Sequence, residues 1–300
     1  MSEIEREVAS QPSCWREAAR LGAERRGWFP PAGARVAAVG CGTSLYIAQA
    51  YASLRESLGA GETDAFPASE APLGRRYDAV LALSRSGTTT ETLRFLQAVR
   101  AGRRLALVGD PSTPIARAAD EAIALEFADE RSVVQTRFAT SALAFLRAGL
   151  GQDLEAAIAE GARALDEPLR VVPADDLHFV FLGTGWTVGL ANEAALKLRE
   201  AARAITESYP AMEYRHGPIS LAGPGSVVWT LGEVDGDLLR DVAATGATVI
   251  RGTLDPMAEL VHVQRTALVL AEARGLDPDH PDHLTRSVVL TPSSETGGIR

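Results

Sequence analysis

Residues 79–96 read AVLALSRSGTTTETLRFL, and the interpretation of the chain starts from this stretch. Its first five residues are apolar, as in a buried strand, and its last six have helical spacing. Between them, six hydroxyl side chains surround one glycine within nine residues: Ser84, Ser86, Thr88, Thr89, Thr90 and Thr92 around Gly87. The stretch therefore predicts a strand that passes through a hydroxyl-rich turn into a helix.

This turn has the features of an anion-binding site. The start of a helix exposes unpaired backbone N–H groups at the positive end of the helix dipole. Short hydroxyl side chains add donors, and Gly87 lets the backbone approach a ligand closely. The alternative is a turn in which one hydroxyl caps the helix, and one or two hydroxyls would be enough for that. We interpret the six-hydroxyl cluster as a phosphate site.

Composition excludes several classes of function. The 300 residues are 46% hydrophobic and 23% charged, which is typical of a globular protein of one or two domains. A net charge of −9 argues against a nucleic acid partner, and no apolar run reaches the ~20 residues of a membrane span. The acidic N-terminus has no apolar signal core. We expect a cytoplasmic protein that binds neither nucleic acid nor a membrane.

Neither a metal nor a redox centre is expected. Cys14 and Cys41 are the only cysteines, too few for a disulfide framework or a clustered thiolate site. His280 and His283 lack the carboxylate–histidine spacing of a metal site. Cys41 has no histidine or second cysteine near it in sequence, so we interpret it as an inert thiol.

Apolar runs and helical stretches alternate through the first half. Strands are predicted at 35–39, 77–83, 104–108 and 122–127, and helices at 4–26, 43–58, 91–100 and 139–150. Because the strands are continuously apolar, they predict a parallel sheet with helices on both faces, and hence an α/β fold.

The pattern then starts again. Val39-Gly40-Cys41-Gly42-Thr43-Ser44 and Leu182-Gly183-Thr184-Gly185-Trp186-Thr187 both predict a strand, a Gly-x-Gly turn and a helix. Their separation of about half the chain predicts a duplicated domain. We expect an N-terminal helix and connector at 1–30, a first domain at 31–160 and a second at 161–300, with the boundary inside 156–176, where Pro168 and Pro173 end a helical stretch.

The two copies are not equivalent. In the second, Thr230 and Glu233 stand where the first has its hydroxyl cluster, and a carboxylate would repel phosphate. We expect one phosphate site per chain. Neither Gly-x-Gly turn is a dinucleotide fingerprint, because Leu45 and Val188 replace the third glycine, so no nicotinamide cofactor is expected.

Glu193, Lys197 and Glu200 recur at helical spacing and share one face of a predicted helix. One interpretation is a solvated, salt-bridged face. The other is a carboxylate held beside an ammonium, as enzymes position a base that moves protons next to a carbonyl. His216 lies in a charged loop that ends in Gly217-Pro218; such a loop can present an imidazole to a site, although a lone loop histidine is more often surface.

Together these segments resemble the sugar isomerase (SIS) family, in particular the isomerase half of glutamine-fructose-6-phosphate aminotransferase and the amino-sugar-phosphate deaminase/isomerases. The matching segments follow the family's order across nearly the whole chain. They are Cys41-Gly42-Thr43-Ser44, Ser84-Arg85-Ser86-Gly87-Thr88-Thr89, Glu193-Ala194-Ala195-Leu196-Lys197-Leu198-Arg199-Glu200, His216-Gly217-Pro218 and Leu284-Thr285-Arg286-Ser287-Val288.

The resemblance implies two tandem doubly wound, flavodoxin-like SIS domains that hold a phosphorylated sugar or amino sugar at the carboxyl ends of their strands. It implies Glu200 as the base between C1 and C2, Lys197 as a further polar group of the site, and His216 as the ring-opening group. That histidine would come from a neighbouring subunit, in a homodimer with composite sites. The implied substrate-binding residues are Thr43, Ser44, Ser84, Arg85, Ser86, Thr89, Val133, Gln135 and Arg286.

Two departures from the family pattern bear on activity. No glutaminase segment precedes these motifs, so ammonia release from glutamine is not expected. Arg286 stands where the synthase has an imine-forming lysine, and a guanidinium cannot act as that amine nucleophile. Three functions stay open: an isomerase or deaminase/isomerase, a non-catalytic sugar-phosphate-binding regulator, and a deglycase of a phosphosugar–amino acid adduct whose carboxylate would meet Arg286.

Overall fold

The computed structural model describes residues 1–171, 174 and 177–290, so the predicted boundary residue Pro173 lies outside the described residues. The helices are α1 (Glu3–Ala9), α2 (Gln11–Glu24), α3 (Thr43–Ser57), α4 (Thr90–Ala98), α5 (Pro114–Ala118), α6 (Arg137–Gly149), α7 (Glu155–Asp166), α8 (Thr187–Ala202), α9 (Gly236–Ala244) and α10 (Pro256–Ala273). The strands are β1 (Val36–Gly40), β2 (Thr63–Pro67), β3 (Tyr77–Ser84), β4 (Ala101–Val108), β5 (Glu121–Ala124), β6 (His178–Gly183), β7 (Ile205–Pro210), β8 (Ser226–Leu231) and β9 (Thr248–Ile250).

The strands form two parallel sheets. Their orders are β2-β1-β3-β4-β5 and β7-β6-β8-β9, and every paired strand runs parallel to its neighbour. The order of the first is that of flavodoxin-like sheets, and the second repeats its first four positions. The central strands β1 and β8 are buried along their whole length. The predicted α/β class with parallel sheets is confirmed.

The edge strands β2, β7 and β9 were not predicted from the sequence. β2 and β7 are the outer strands beside β1 and β6, and both are mostly half-exposed, mix polar with apolar residues and end in proline. Proline is tolerated there because an edge strand has a row of N–H groups without a partner strand. The predicted strand at 122–127 is also too long, since β5 ends at Ala124 and a 3₁₀ turn follows at Glu126–Ala128.

The single N-terminal helix predicted over 4–26 is wrong. The helix is interrupted at Ser10, which separates α1 from α2 immediately before Gln11-Pro12. Proline has no backbone N–H to bond the carbonyl four residues earlier, so a continuous helix would leave Val8 without its partner. The side chain of Gln11 donates to the Val8 carbonyl instead, at 3.2 Å. No helix in the described part of the chain is long and apolar enough to cross a bilayer.

Helices α3 and α8, which follow the two Gly-x-Gly turns, pack against each other. Asn192 donates to Gln49 at 2.9 Å, and these residues are 143 positions apart, the separation of the two turns. A Cβ atom on Gly189 would lie 2.5 Å from the Tyr46 carbonyl oxygen and 2.7 Å from the Ala50 nitrogen, so only glycine permits this approach. Positions that correspond in the two Gly-x-Gly repeats therefore meet, and the later turns of α8 lie beside the start of α3.

Candidate functional site

The hydroxyl turn lies at the carboxyl end of β3. The Ser84 hydroxyl accepts from the Gly87 N–H at 3.1 Å, and the Ser86 hydroxyl accepts from the Thr88 N–H at 3.3 Å. Ser86 Oγ also lies 3.5 Å from Thr89 Oγ1. Thr89 is the N-cap residue of α4, yet its side chain makes no capping bond. Helix capping therefore does not account for the hydroxyls, and the alternative interpretation of the turn is wrong.

The C-terminal segment, residues 284–290, crosses this turn. Ser287 Oγ lies 3.1 Å from Ser86 Oγ and 2.8 Å from Thr88 Oγ1. The Thr90 N–H donates to the Val288 carbonyl at 3.1 Å, so the first turn of α4 is bonded to the same segment. Ser287 lies in one of the segments that resemble the family, but no contact was predicted for it. The only sign in the sequence that Ser287 could belong to the site is its hydroxyl next to Arg286. Sequence spacing alone cannot show that this hydroxyl meets a turn some 200 positions earlier.

The acid–base stripe of α8 is buried. Glu193 is fully buried and Lys197 is 1% exposed, whereas the side chain of Glu200 is 21% exposed. Lys197 Nζ lies 3.4 Å from a Glu193 oxygen and 2.5 Å from a Glu200 oxygen, and it donates to Thr43 Oγ1 at 3.0 Å. The interpretation as a solvated, salt-bridged face is wrong. The stripe and the start of α3 form one polar cluster with Glu200 at its open end.

Burial sets the charge of this cluster. It raises the pKa of Glu193 to about 7, against the opposing effect of the Lys197 ammonium. Burial alone would lower the pKa of Lys197, but the carboxylates of Glu193 and Glu200 outweigh it and the net shift is upward. Lys197 therefore stays an ammonium near neutral pH, held against the Glu200 carboxylate.

Glu200 faces a cavity of about 240 Å³ that is also lined by the segment after α10. Among its lining residues are Arg203, Asp277 and His280, and His280 Nδ1 lies 3.2 Å from the Asp277 carboxylate. The sequence analysis considered His280 only as a metal ligand. No local pattern relates a residue at the end of the chain to Glu200, because only tertiary packing brings them together.

Arg85 is engaged by the protein itself. Its guanidinium is buried and donates to the carbonyl of Ser132 at 2.8 Å and to that of Arg286 at 3.0 Å, with the Glu130 carboxylate 3.8 Å away. It therefore fastens the loop after β5 and the C-terminal segment to the end of β3. In that loop, the Val133 N–H donates to the Asp279 carbonyl at 3.1 Å.

Gln135 and Arg286, two further predicted substrate contacts, differ in whether their side chains already have a partner within the protein. Gln135 Oε1 is buried, and no described residue donates a hydrogen bond to it. Arg286 pairs with both oxygens of Asp129, at 2.6 and 2.8 Å, and also donates to the Glu130 carbonyl. The guanidinium of Arg286 is thus held by the loop after β5.

The first Gly-x-Gly turn contains a glycine that packing requires and a hydroxyl residue that contacts the polar cluster of α8. A Cβ atom on Gly40 would lie 2.5 Å from the Ser44 carbonyl carbon, so packing alone explains this glycine. Thr43 and Ser44 are buried in the first turn of α3, where Thr43 joins the polar cluster of α8. Burial raises the pKa of the Cys41 thiol, which fits an unreactive cysteine.

His216 is not brought to either cluster within one chain. It is exposed, directly after a 3₁₀ turn at Ala211–Arg215, and its imidazole makes no hydrogen bond or ion pair with any described residue. The structure therefore brings Thr43, Lys197 and Glu200 into one cluster and the hydroxyls of Ser84, Ser86 and Thr89 into one turn. It leaves the predicted histidine, His216, on the surface.

Comparison with known proteins identifies the domain that carries the hydroxyl turn. Residues 31–148 match the family model of the SIS domain. A SIS domain therefore occupies residues 31–148 of this chain. The matched region includes the hydroxyl turn, Thr43 and the loop with Gln135, and the predicted resemblance to the sugar isomerase family is confirmed.

Two curated relatives match most of this SIS-domain chain. Glutamine–fructose-6-phosphate aminotransferase [isomerizing] from Thermus thermophilus is 28% identical over 314 residues, which cover 85% of this chain and 52% of that protein. The enzyme of the same name from Methanothermobacter thermautotrophicus is 29% identical over 304 residues, with the same shares covered. The chain thus spans about half the length of these curated relatives.

Two solved structures share the fold. Glucosamine-6-phosphate deaminase from Thermotoga maritima superposes with a TM-score of 0.83 at 24% identity and covers 96% of this chain and 100% of its own. Tagatose-6-phosphate ketose/aldose isomerase from Escherichia coli gives 0.79 at 20% identity and covers 98% and 97%. At 24% and 20% sequence identity, the similarity of these two structures to this chain shows a shared fold.

Proposed function

We propose that this SIS-domain protein is a sugar-phosphate aldose–ketose isomerase or an amino-sugar-6-phosphate deaminase/isomerase. The observation that carries the proposal is the contact of Glu200 with the buried Lys197, which in turn donates to Thr43 at the first Gly-x-Gly turn. A base fixed by an ammonium and open to a cavity is what proton transfer at a sugar carbon needs. The names of the relatives and structural neighbours support the same reaction class.

The phosphate is proposed to bind at the hydroxyl turn, held by Ser84, Ser86, Thr89 and Ser44. Their hydroxyls and the N–H groups at the start of α4 suit a dianion. Ser287 now bonds two hydroxyls of the turn, so a bound phosphate would exchange those contacts for its own. Anchoring the phosphate uses remote binding energy to orient C1 and C2 of the open sugar.

In the proposed reaction, Glu200 removes the proton from C2 of the open-chain aldehyde or imine. The C2–H electrons form the C1–C2 double bond, while the π electrons of the C1=O or C1=N bond move onto the heteroatom at C1, which takes up a proton to give the enediol or enolamine. Glu200 then returns its proton to C1 as the hydroxyl or amine on C2 loses a proton and becomes the C2 carbonyl or imine. Lys197 keeps the Glu200 carboxylate oriented through the transfer. Where C2 carries an amine, the product is a ketose imine, and water adds to its carbon and releases ammonia.

Ring opening is assigned to His216 of a second subunit. The imidazole is exposed and has no partner among the described residues of its own chain, which suits a group that reaches into another site. Ile205, Met212 and Leu221 are exposed apolar side chains close to it in sequence, as expected of a surface that a second copy covers. We propose a homodimer with two composite sites.

We also propose that the second sheet is a second SIS domain, with domains at 31–160 and 161–300 after the N-terminal segment. The repeated strand order and the contact between equivalent residues Gln49 and Asn192 support the duplication. Helix α7 spans the proposed junction between residues 160 and 161 and would connect the two domains.

Phosphate anchoring is tested by Ser86→Ala, with the exposed Ser57→Ala as the matched control. Loss of a hydrogen bond to a charged group should weaken binding of a hexosamine or hexose 6-phosphate by about 1–3 kcal/mol in calorimetry. Ser57→Ala should bind as the unmodified protein does, and unphosphorylated sugars should bind weakly to all three. Equal affinity of the unmodified protein for a sugar and its 6-phosphate would reject the phosphate site.

A further inference from the structure

A second crevice lies at the carboxyl ends of the second sheet, away from the hydroxyl turn. Its volume is about 860 Å³, and its walls follow β6, β8 and β9. The order β7-β6-β8-β9 places the topological switch point between β6 and β8, where open α/β sheets bind ligands. The crevice is thus the counterpart, in the second copy, of the first sheet's hydroxyl-turn site. Nothing in the proposed isomerase reaction uses it.

Two charges of opposite sign border this crevice without partners. Glu233, after β8, and Arg251, after β9, are exposed lining residues. Neither side chain forms an ion pair or hydrogen bond with the residues that the structure describes. Glu160 adds a second carboxylate to the wall. With Asp255, which pairs with Arg147, the lining holds three carboxylates against the one guanidinium of Arg251, and this disfavours a phosphate dianion, in contrast to the hydroxyl turn.

One wall of the crevice is apolar and fixed. Arg147 pairs with both oxygens of Asp255 at 2.8 Å each, and its guanidinium lies 5.0 Å over the indole of Trp186. Asp255 in turn caps α10. Trp186 lies directly before α8, and with Val234 and Leu254 it lines the crevice. The indole is therefore held in place before any ligand arrives, which lowers the entropy cost of binding.

We propose that this crevice binds a free α-amino acid with an apolar side chain. Its ammonium pairs with Glu233, its carboxylate pairs with Arg251, and its side chain packs on Trp186. A zwitterion satisfies both unpaired charges at once, whereas a singly charged ligand leaves one of them unmatched. The proposal does not depend on the isomerase assignment, because no residue is shared between the two sites.

The test compares three ligands on the full chain by calorimetry: L-phenylalanine, phenylethylamine and 3-phenylpropanoate, which differ in their charges. Phenylalanine should bind about tenfold or more tightly than either analogue, as expected for losing one charged hydrogen bond. Arg251→Gln should remove the preference over the amine, and Glu233→Gln should remove the preference over the acid. This crossed pattern distinguishes recognition of each charge from a general loss of structure.

Matched controls are Arg240→Gln and Asp237→Asn, two exposed charges on α9 that do not line the crevice. Both should keep the phenylalanine preference, and so should Ser86→Ala, whose sugar-phosphate site lies elsewhere. Equal affinity for the three ligands, or no saturable binding at millimolar concentration, overturns the proposal. So does phenylalanine binding that Ser86→Ala abolishes and Arg251→Gln leaves unchanged.

Discussion

His262 is a fully buried histidine on α10, with Nε2 3.1 Å from the Glu167 carboxylate. Burial is the main cause that lowers the pKa of His262 to about 4, and the nearby Arg170 and Arg265 act in the same direction. The Glu167 carboxylate opposes both but does not reverse the shift. The folded protein therefore holds this imidazole neutral over most of the pH range in which a free histidine becomes charged.

This burial predicts a stability loss in mild acid. Because the folded-state pKa is depressed, the unfolded chain binds the proton first as the pH falls from about 6.5 to about 4. The contribution of His262 is fully present above that window and should fall by about 1–3 kcal/mol across it. Urea unfolding at a series of pH values measures the fall, and His262→Gln should reduce it.

The matched control is His280→Gln, since the side chain of His280 is 80% exposed. This variant should keep the fall in stability between pH 6.5 and 4, because it removes only an exposed ion pair with Asp277 and leaves the buried imidazole of His262 in place. If His262→Gln and His280→Gln change stability with pH in the same way, burial of His262 does not control the loss.

At the residue scale, sequence identified the chemical groups but not their solvation. Glu193, Lys197 and Glu200 were found by spacing, yet spacing alone fits a wet surface as well as a buried cluster. The difference arises from α3, whose Thr43 meets Lys197 from a position 154 residues earlier. The engagement of Arg85 and Arg286 by backbone carbonyls also depends on loops that no local pattern predicts.

At the element scale, the contact of α3 with α8 depends on one glycine. Gly189→Ala would put a methyl group against backbone atoms of Tyr46 and Ala50, which cannot rotate away. Alanine favours a helix by up to about 1 kcal/mol, but overpacking costs about 1–3 kcal/mol, so the free energy of unfolding should fall. Urea unfolding measures the change, and turnover should fall too because Lys197 and Thr43 move apart.

Gly74→Ala is the control for that change. A Cβ atom at Gly74 would meet nothing within 4 Å, and its backbone is not in the left-handed region. Its stability should stay within about 0.5 kcal/mol of the unmodified protein. If Gly189→Ala and Gly74→Ala are equally stable, the close approach of the two helices does not constrain position 189.

The elements that sequence predicted well are strands with a continuous apolar run and helices with an apolar face at helical spacing. β1, β3 and β4 and helices α3, α4 and α6 agree with prediction to within about three residues at each end. The edge strands β2 and β7 escaped because a half-exposed strand needs no apolar run. The break between α1 and α2 escaped because proline in the first turn of a helix resembles proline inside one.

At the scale of the whole molecule, we predict that two chains share each site. In an equal mixture of Glu200→Gln and His216→Ala proteins under subunit exchange, half of the dimers are mixed, and one of their two sites is intact. Up to about one quarter of all sites should then recover, because the two-fold contact is reciprocal. Turnover of the mixture measures the recovery, and each variant alone is the control.

Exchange itself must be verified with two affinity tags. If tagged chains exchange and activity stays absent, His216 does not act across an interface. His280, which lines the cavity of Glu200 in the same chain, would then be the next histidine to replace.

The central claim is that Glu200 moves a proton on a phosphorylated sugar. The most direct measurement is NMR of deuterium exchange at C1 and C2 of hexose and hexosamine 6-phosphates in D₂O. The unmodified protein and the exposed control Glu272→Gln should exchange at the same rate, and Glu200→Gln should be slower by about 10²–10⁴-fold while still binding the sugar phosphate. Undiminished exchange with Glu200→Gln, or binding without exchange by the unmodified protein, would contradict the account.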